Sequence, residues 1–386
     1  MGEHALLSAS GAHRWLKCSP SVRLEEEVED STSIYAKEGT FMHELAELHL
    51  KLFLDDITKA EFNKRLKEMK QNDFYTDEIE KAVEIYVDAV IEKINEARAI
   101  SPDPLILIEE RLDYSPWVNE GFGTGDVLII ADGIIEVIDL KGGKGVAVSA
   151  IANPQMRLYA LGAINGFGML YDTQKVRMTI IQPRLDNISS DEMEVEELIH
   201  WGEKTVKPKA DEAWKGEGEF KVGEHCRFCK VKAICRSRAE ENMKLACMDF
   251  KPPPTLTDDE IVEVLNQIDE LTKWAKDVEA YAFNQAVNEG KEWPGFKLVE
   301  GRSSRKYSDE DKVAKALIAA GFEEDKIYSK SLLSLTKLEK NLGKKVFEET
   351  IGDLIIKPPG KLQLVPEEDK RPALRSSAEI DFKKEM

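Results

Sequence analysis

The chain has 386 residues, with 54 Lys and Arg against 73 Asp and Glu, for a formal charge of −19. An apolar share of 42% excludes a fibrous or wholly disordered chain, and the length suits two or three domains of roughly 150 residues. The opening residues MGEHALLSASG hold neither a basic leader nor an apolar run. No stretch reaches the roughly 20 apolar residues of a bilayer span, so a soluble cytoplasmic protein without a membrane partner is expected.

Residues 8–28 read as helical, and 38–70 as a long amphipathic stretch with Leu45, Leu48, Leu52 and Ile57 near helical spacing. The clearest helix is 76–99, where Ile79, Val83, Tyr86, Val90 and Ile94 recur at three and four. Ser-Pro-Asp-Pro at 101–104 breaks that pattern. Strands follow at 105–112, 125–131 and 134–140, the last two joined by Asp132-Gly133, a strong hairpin signal. Residues 150–163 read as a helix, 175–182 as a strand and 190–215 as a further helix. This order predicts an α/β fold with a mixed central sheet flanked by helices. KPPPT (251–255) marks a boundary, so the expected division is 1–250, 256–374 and a frayed tail 375–386. A long helix is expected over about 256–289, and Pro358-Pro359-Gly360 should form a sharp turn.

The chemistry concentrates in GTGDVLIIADGIIEVIDLKGGKG, residues 123–145. A tight hairpin brings Asp126 beside Asp139. Two adjacent carboxylates repel unless a cation sits between them, and Mg²⁺ or Mn²⁺ takes oxygen ligands and phosphate together. Lys141, two residues from Asp139, leaves the strand on the same face, where an ammonium stabilises phosphate charge. An idle D-x-K on a solvated hairpin is the plain alternative. His43 and Glu47 share a helix face, and an imidazole there is either a ligand or a structural group. Gln155 and Tyr159 share the face of the next helix. Glu109 or Glu110 on the preceding strand could add a carboxylate.

Five cysteines are present: Cys18, Cys226, Cys229, Cys235 and Cys247. An odd number with three crowded together reads as metal binding rather than a disulfide framework. Cys226, Cys229 and Cys235 with Cys18 make four thiolates, which suit zinc or an iron–sulfur cluster. His225 is an alternative ligand, and Cys247 a small buried residue. Residues 220–238 hold Lys221, Arg227, Lys230, Lys232, Arg236 and Arg238 against Glu224 alone. They read either as a backbone contact for nucleic acid or as a solvated counterweight to the acidic remainder. Lys297, Arg302, Arg305 and Lys306 form a second basic patch.

The order Gly39-Thr40-x-x-His43, Gly125-Asp126, Ile138-Asp139-x-Lys141 and Gln155-x-x-x-Tyr159 resembles the PD-(D/E)xK nuclease superfamily, in its RecB/Cas4-like exonuclease branch, over about residues 8–240. GFGTGDVLII, VIDLKGGKGVAVSA, NPQMRLYALGA and the C-terminal KVFEETIGDLIIKPPGKLQLVPEEDKRPAL are similar to an uncharacterised phage and prophage branch. The resemblance implies a restriction-endonuclease-like core with a mostly helical C-terminal extension. It implies that His43, Asp126, Asp139 and the carbonyl of Leu140 ligate Mg²⁺ or Mn²⁺, that Lys141 is catalytic, and that Gln155 and Tyr159 contact DNA. Gly125 replaces the usual proline. It further implies a [4Fe–4S] cluster on Cys18, Cys226, Cys229 and Cys235 in preference to Zn²⁺. The expected activity is exonucleolytic trimming of linear DNA in phage recombination or replication, in a bacterial host cytoplasm. The implied partners are DNA and recombination or single-strand-binding proteins. Separately from the resemblance, helix 256–289 could pack against a copy of itself in a homo-oligomer. A catalytically weak DNA-end-binding module and a zinc-stapled adaptor are the competing expectations.

Overall fold

The computed structural model describes residues 5–28, 34–246 and 257–299 and, beyond these, 310–320, 323, 327–328, 333–351 and 354–355. Contacts divide the chain into two units, Met1–Asn284 and Gln285–Met386. KPPPT, Cys247, Arg302, Arg305, Lys306, Pro358-Pro359-Gly360 and the 375–386 tail lie outside the described residues.

The first unit opens with two short helices, α1 (Ala12–Trp15) and α2 (Ser21–Glu26), and continues through α3 (Ile34–Phe53), α4 (Lys59–Met69) and α5 (Asp77–Ile100). The stretch read as one helix over 8–28 is broken by turns at 16–20. The stretch read over 38–70 is broken at 54–58, where Asp55 takes a left-handed φ of 61° and Thr58 caps α4 by accepting from the amide of Glu61. Such a cap satisfies amides that the helix itself leaves unpaired. α5 begins where Thr76 accepts from the amide of Ile79, with Asp77, Glu78 and Glu80 in the first turn, where the helix dipole favours acids. Its buried side includes Ile79, Val83, Tyr86, Val90 and Ile94, the residues whose spacing predicts it.

One five-stranded sheet follows, in spatial order β1 (Leu105–Asp113), β2 (Phe122–Ala131), β3 (Ile134–Leu140), β4 (Lys175–Gln182) and β5 (Asn187–Glu194). All neighbours are antiparallel except β3 and β4. A parallel pair needs a crossover, which α6 (Pro154–Ala163) supplies. Asn153 caps α6, its side chain accepting from the amides of Gln155 and Met156. α7 (Val195–Trp201), α8 (Lys207–Lys215), α9 (Arg236–Ala246) and α10 (Asp258–Asn288) complete the run. In the second unit the described elements are helical: Glu310–Ala319, Leu335–Leu342 and Lys344–Ile351.

The helix expected from 190 begins only at Val195, because Asn187–Glu194 forms β5 against β4. The inward-facing positions of that strand include Asn187, Ser189 and Asp191, so the apolar alternation that marks a half-buried strand is missing. These polar groups face inward because they hold a loop. Ser189 Oγ accepts from the amide of Ala150 and Asp191 from that of Ala152.

The sheet is buried on both sides. α6 and the N-terminal residues Leu7, Ala12 and Trp15 cover Leu128, Ile130, Ile135, Val137, Met178 and Ile180. α3 and α5 cover Val127, Ile129, Ile138, Leu140 and Ile181. α6 crosses close to β1 at Gly162, where a methyl group would lie 2.9 Å from Leu112 Cβ and 3.0 Å from its carbonyl carbon. Gly162→Ala should therefore destabilise by about 1 kcal/mol, since overpacking against backbone outweighs a propensity gain of similar size. Gly39→Ala in α3, with nothing within 4 Å of the new methyl, should instead stabilise by about 0.5–1 kcal/mol. Urea midpoints of the two variants, expected on opposite sides of wild type, check the contrast.

Candidate functional site

β2 turns into β3 through Asp132 and Gly133, both at positive φ (49° and 73°), as a two-residue hairpin turn requires. Pairing runs from Ala131↔Ile134 to Val127↔Ile138 and stops there. One step further the register sets Asp126 opposite Asp139, yet no backbone bond joins them. The amide of Leu140 instead donates to the Asp126 carboxylate, at 2.6 Å from Oδ2. β3 meanwhile stays with β4 through Asp139↔Ile180 and Leu140↔Ile181, and the amide of Lys141 bonds Ile181 O at 2.9 Å. The two strands therefore part at the acid pair.

β1 is disturbed at the same level. Ile108↔Val127 and Glu110↔Gly125 pair normally, while Glu109 between them adopts φ 54°, a left-handed conformation costly for a residue with a side chain. Side-chain parity changes across this kink. Leu105 and Leu107 pack on the α6 side before it, and Leu112 packs there after it. On β2, Leu128 and Ile130 face α6, yet a methyl on Gly125 would also meet Leu112 and Val137 on that side.

The result is two adjoining groups of polar side chains. Towards α3, His43 Nδ1 and Asp126 Oδ1 share a hydrogen bond of 3.0 Å, and ligand atoms of His43, Glu109 and Asp126 lie within 4.8 Å of one another. Burial works against a charged His43, but the Asp126 carboxylate, with Asp139 and Glu109 behind it, raises its pKa to about 9. Burial, then the charge of Asp126, raises Glu109 to about 7. Towards α6, Asp139 Oδ2 lies 2.8 Å from Lys141 Nζ. Lys141 donates to Gln155 Oε1 at 3.0 Å. Gln155 Nε2 in turn lies 3.2 Å from Asp139 Oδ1 and 3.4 Å from the Tyr159 hydroxyl. Asp139 is 3% exposed, and burial raises its pKa despite Lys141.

Sequence reasoning named His43, Asp126, Asp139, Lys141, Gln155 and Tyr159, and the fold brings all six to this fork. Leu140 enters through its amide, as the donor to Asp126. Of the Glu109/Glu110 pair, Glu109 is the one in the cluster. Tyr86 was read only as part of the core stripe of α5. It also lines the cleft with His43, Glu47, Glu109 and Asp126, and its hydroxyl has no hydrogen-bond partner among the described residues. An orphaned buried hydroxyl costs about 1–3 kcal/mol. The imidazole of His43 and the carboxylates of Glu109 and Asp126 around one point, with the Asp139 carboxylate alongside, form a donor set that fits a hard divalent cation such as Mg²⁺ or Mn²⁺.

The glycine run after Lys141 is held firmly. Arg184, its side chain 4% exposed, donates to Gly142 O at 2.9 Å and pairs with Glu38 of α3 and Glu78 of α5. Gln182 donates to the carbonyls of Gly143 and Val146. A side chain at Gly142 would meet Met42 Sδ at 2.7 Å, so Met42 would have to shift to admit one.

Cys18, Cys226, Cys229 and Cys235 line one hollow together with Arg14, Lys232 and Arg238. No three of the sulfurs lie within 4.8 Å of one another among the described residues. Burial, then the charge of Glu25, pushes the Cys229 thiol up to about 12, so a thiolate there needs a cationic centre. The ring of His225 is engaged with Lys221 O at 2.8 Å. The hollow joins sequence-distant segments. Arg23 donates to Trp214 O, Ser19 to Glu212, and the amide of Lys230 to Glu25. Two cations expected on an open basic face are used internally: Arg238 pairs with Glu270 and Asp277 of α10, and Lys232 with Asp277.

Glu109 supplies a pH test on metal-free protein. Its folded pKa, about 7, exceeds the ordinary 4.5, so the folded state binds more protons between those values. Stability linked to this residue is greatest below pH 4.5 and declines as pH rises to about 7. Glu109→Gln removes that dependence. In EDTA its melting temperature should move above that of wild type as pH climbs through this window, and parallel curves would contradict the assignment.

No helix among the described residues is long and apolar enough to cross a membrane. A solved structure titled "Crystal structure of SSO0001" aligns with 61% of this chain and 88% of its own, at 12% identity and a TM-score of 0.28. A superposition this loose bears on neither fold nor function. The model of a family described as "Protein of unknown function (DUF2800)" matches residues 4–372, nearly the whole chain, and the protein belongs to that family.

Proposed function

We propose that the protein is a metal-dependent DNA nuclease whose active site is the fork between β2 and β3. The observation that carries this reading is the convergence there of His43, Glu109 and Asp126 with the Asp139–Lys141–Gln155 triad. The hydrogen bonds of Asp126 to Leu140 and His43 account for one carboxylate of the set and leave Glu109 and the Asp139–Lys141 pair without an evident structural use. Like charges are crowded in a cleft, which costs stability unless a cation resolves it. His43, Asp126 and Asp139 would hold the ion, with Glu109 as a further carboxylate. Mg²⁺ or Mn²⁺ in this position supplies charge neutralisation for a phosphate and lowers the pKa of a bound water.

The chain's own groups have separable tasks. Asp139 fixes the Lys141 ammonium, and Gln155 holds both from the other side, so Lys141 Nζ is aimed without reorganisation at a phosphate oxygen beside the acids. Tyr159, hydrogen-bonded to Gln155, keeps that amide from rotating. Arg184 and Gln182 hold the glycine loop that follows Lys141 in place. Trimming of linear DNA in recombination or replication follows from the resemblance in sequence, and the geometry is compatible with it.

The four cysteines are assigned to a [4Fe–4S] cluster. Four thiolates lining one hollow suit either such a cluster or zinc, and the cluster is preferred on the resemblance in sequence. The group would staple residues 18 and 226–235 together and so hold the two ends of the nuclease fold.

With labelled linear DNA and Mn²⁺, wild type should release nucleotides, and Lys141→Ala should be slower by about 10²-fold or more. Equal rates would sink the assignment, and binding without cleavage under any divalent metal would favour a DNA-end-binding module instead. Anaerobically purified protein should be brown and contain iron, with the colour lost in Cys226→Ser. A colourless preparation containing only zinc would overturn the cluster.

A further inference from the structure

Tyr86 stands on α5, opposite the strand ends that carry the acids, and is 1% exposed. Its ring belongs to the core between α3, α5 and the sheet. Tyr86 lines the cleft with His43, Glu109, Asp126 and Leu140, and its buried hydroxyl, within reach of the charges of Asp126, Asp139 and Glu109, has no hydrogen-bond partner among the described residues. The same cleft holds an acceptor in a similar position. Asp126 is engaged by His43 and by the Leu140 amide, whereas no described hydrogen bond reaches the Glu109 carboxylate. Glu109 is also the residue held at φ 54°. A buried phenol is normally satisfied, and phenylalanine would fill the same core volume. The hydroxyl therefore has no described use in the core, yet its residue lines a cleft where a bound cation would reorganise the carboxylates.

We propose that Tyr86 is a positioning residue for this centre: its hydroxyl donates to the Glu109 carboxylate when the His43, Glu109 and Asp126 cluster closes on a divalent cation. Outer-shell partners of this kind fix a ligating carboxylate in one orientation and commonly contribute 10–100-fold in metal affinity. Glu109 is suited to such an arrangement, because its left-handed backbone brings the carboxylate to His43 and Asp126 with no hydrogen bond to orient it among the described residues. The inference rests on the reading of the cluster as a cation site.

The test is a double-mutant cycle on Mn²⁺ affinity, read by titration calorimetry on the full chain, with melting temperatures in EDTA alongside. Tyr86→Phe should weaken Mn²⁺ binding about 10-fold while leaving the EDTA melting temperature equal to wild type or higher, since the hydroxyl has no hydrogen-bond partner among the described residues. In a Glu109→Gln background the same change should have little further effect. Unchanged Mn²⁺ affinity in Tyr86→Phe, full additivity with Glu109→Gln, or a lowered EDTA melting temperature would each overturn the proposal. His43→Ala and Asp126→Asn separate its failure from that of the site. If both lose Mn²⁺ while Tyr86→Phe binds as wild type, only the role of Tyr86 falls. If both bind as wild type, the cation site falls and takes this proposal with it.

Discussion

The hydrogen bond from the Leu140 amide to the Asp126 carboxylate is the constraint on which the fork depends. A strand pair that ended normally would give that amide a backbone acceptor and leave both acids flush on a continuous sheet. Here a side chain takes the acceptor's place. β3 can then stay with β4 while β2 leaves it, and no amide is stranded. The same carboxylate holds His43 with its other oxygen. One residue thus opens the sheet and ties the opening to α3. The kink at Glu109 extends the disturbance to β1.

Because the opening lies between two buried faces, side chains from opposite sides of the sheet can meet in it. His43 and Tyr86 come from helices on one face, and Gln155 and Tyr159 from α6 on the other. The electrostatics follow from that placement. Carboxylates that would be harmless on a surface are crowded and partly desolvated, so Asp139 and Glu109 resist ionisation while His43 holds its proton. The net charge of −19 is therefore a poor guide to any single location. Several prominent cations are internal fasteners. Arg184 joins α3, α5 and the glycine loop, and Arg238 joins α9 to α10.

Much of this was legible in the sequence, for identifiable reasons. Asp132-Gly133 fixes the hairpin register, and register alone predicts that Asp126 and Asp139 approach. The three-and-four spacing of α5 and the Asn153 cap of α6 were equally plain. β5 was hidden because its inward positions are polar. Tyr86 was hidden for the converse reason: an aromatic on an apolar stripe reads as core, and only the position of its hydroxyl relative to strand ends distant in sequence reveals a second use. The choice of Glu109 over Glu110 depended on a backbone kink that no local pattern encodes.

The seam between the N-terminal helices and residues 212–230 also bears on how the chain is made. Arg23 and its acceptor Trp214 are 191 positions apart. At a synthesis rate of roughly 5–20 residues per second, the first helices wait about 10–40 s before their partners leave the ribosome. Throughout that interval Leu7, Ala12 and Trp15 have only part of the surface they finally cover, and Cys18 faces solvent without its three companions. The emerging chain therefore passes through a period in which a thiol and an apolar edge are both accessible, and that period ends only when the last strand and the helices behind it have been translated.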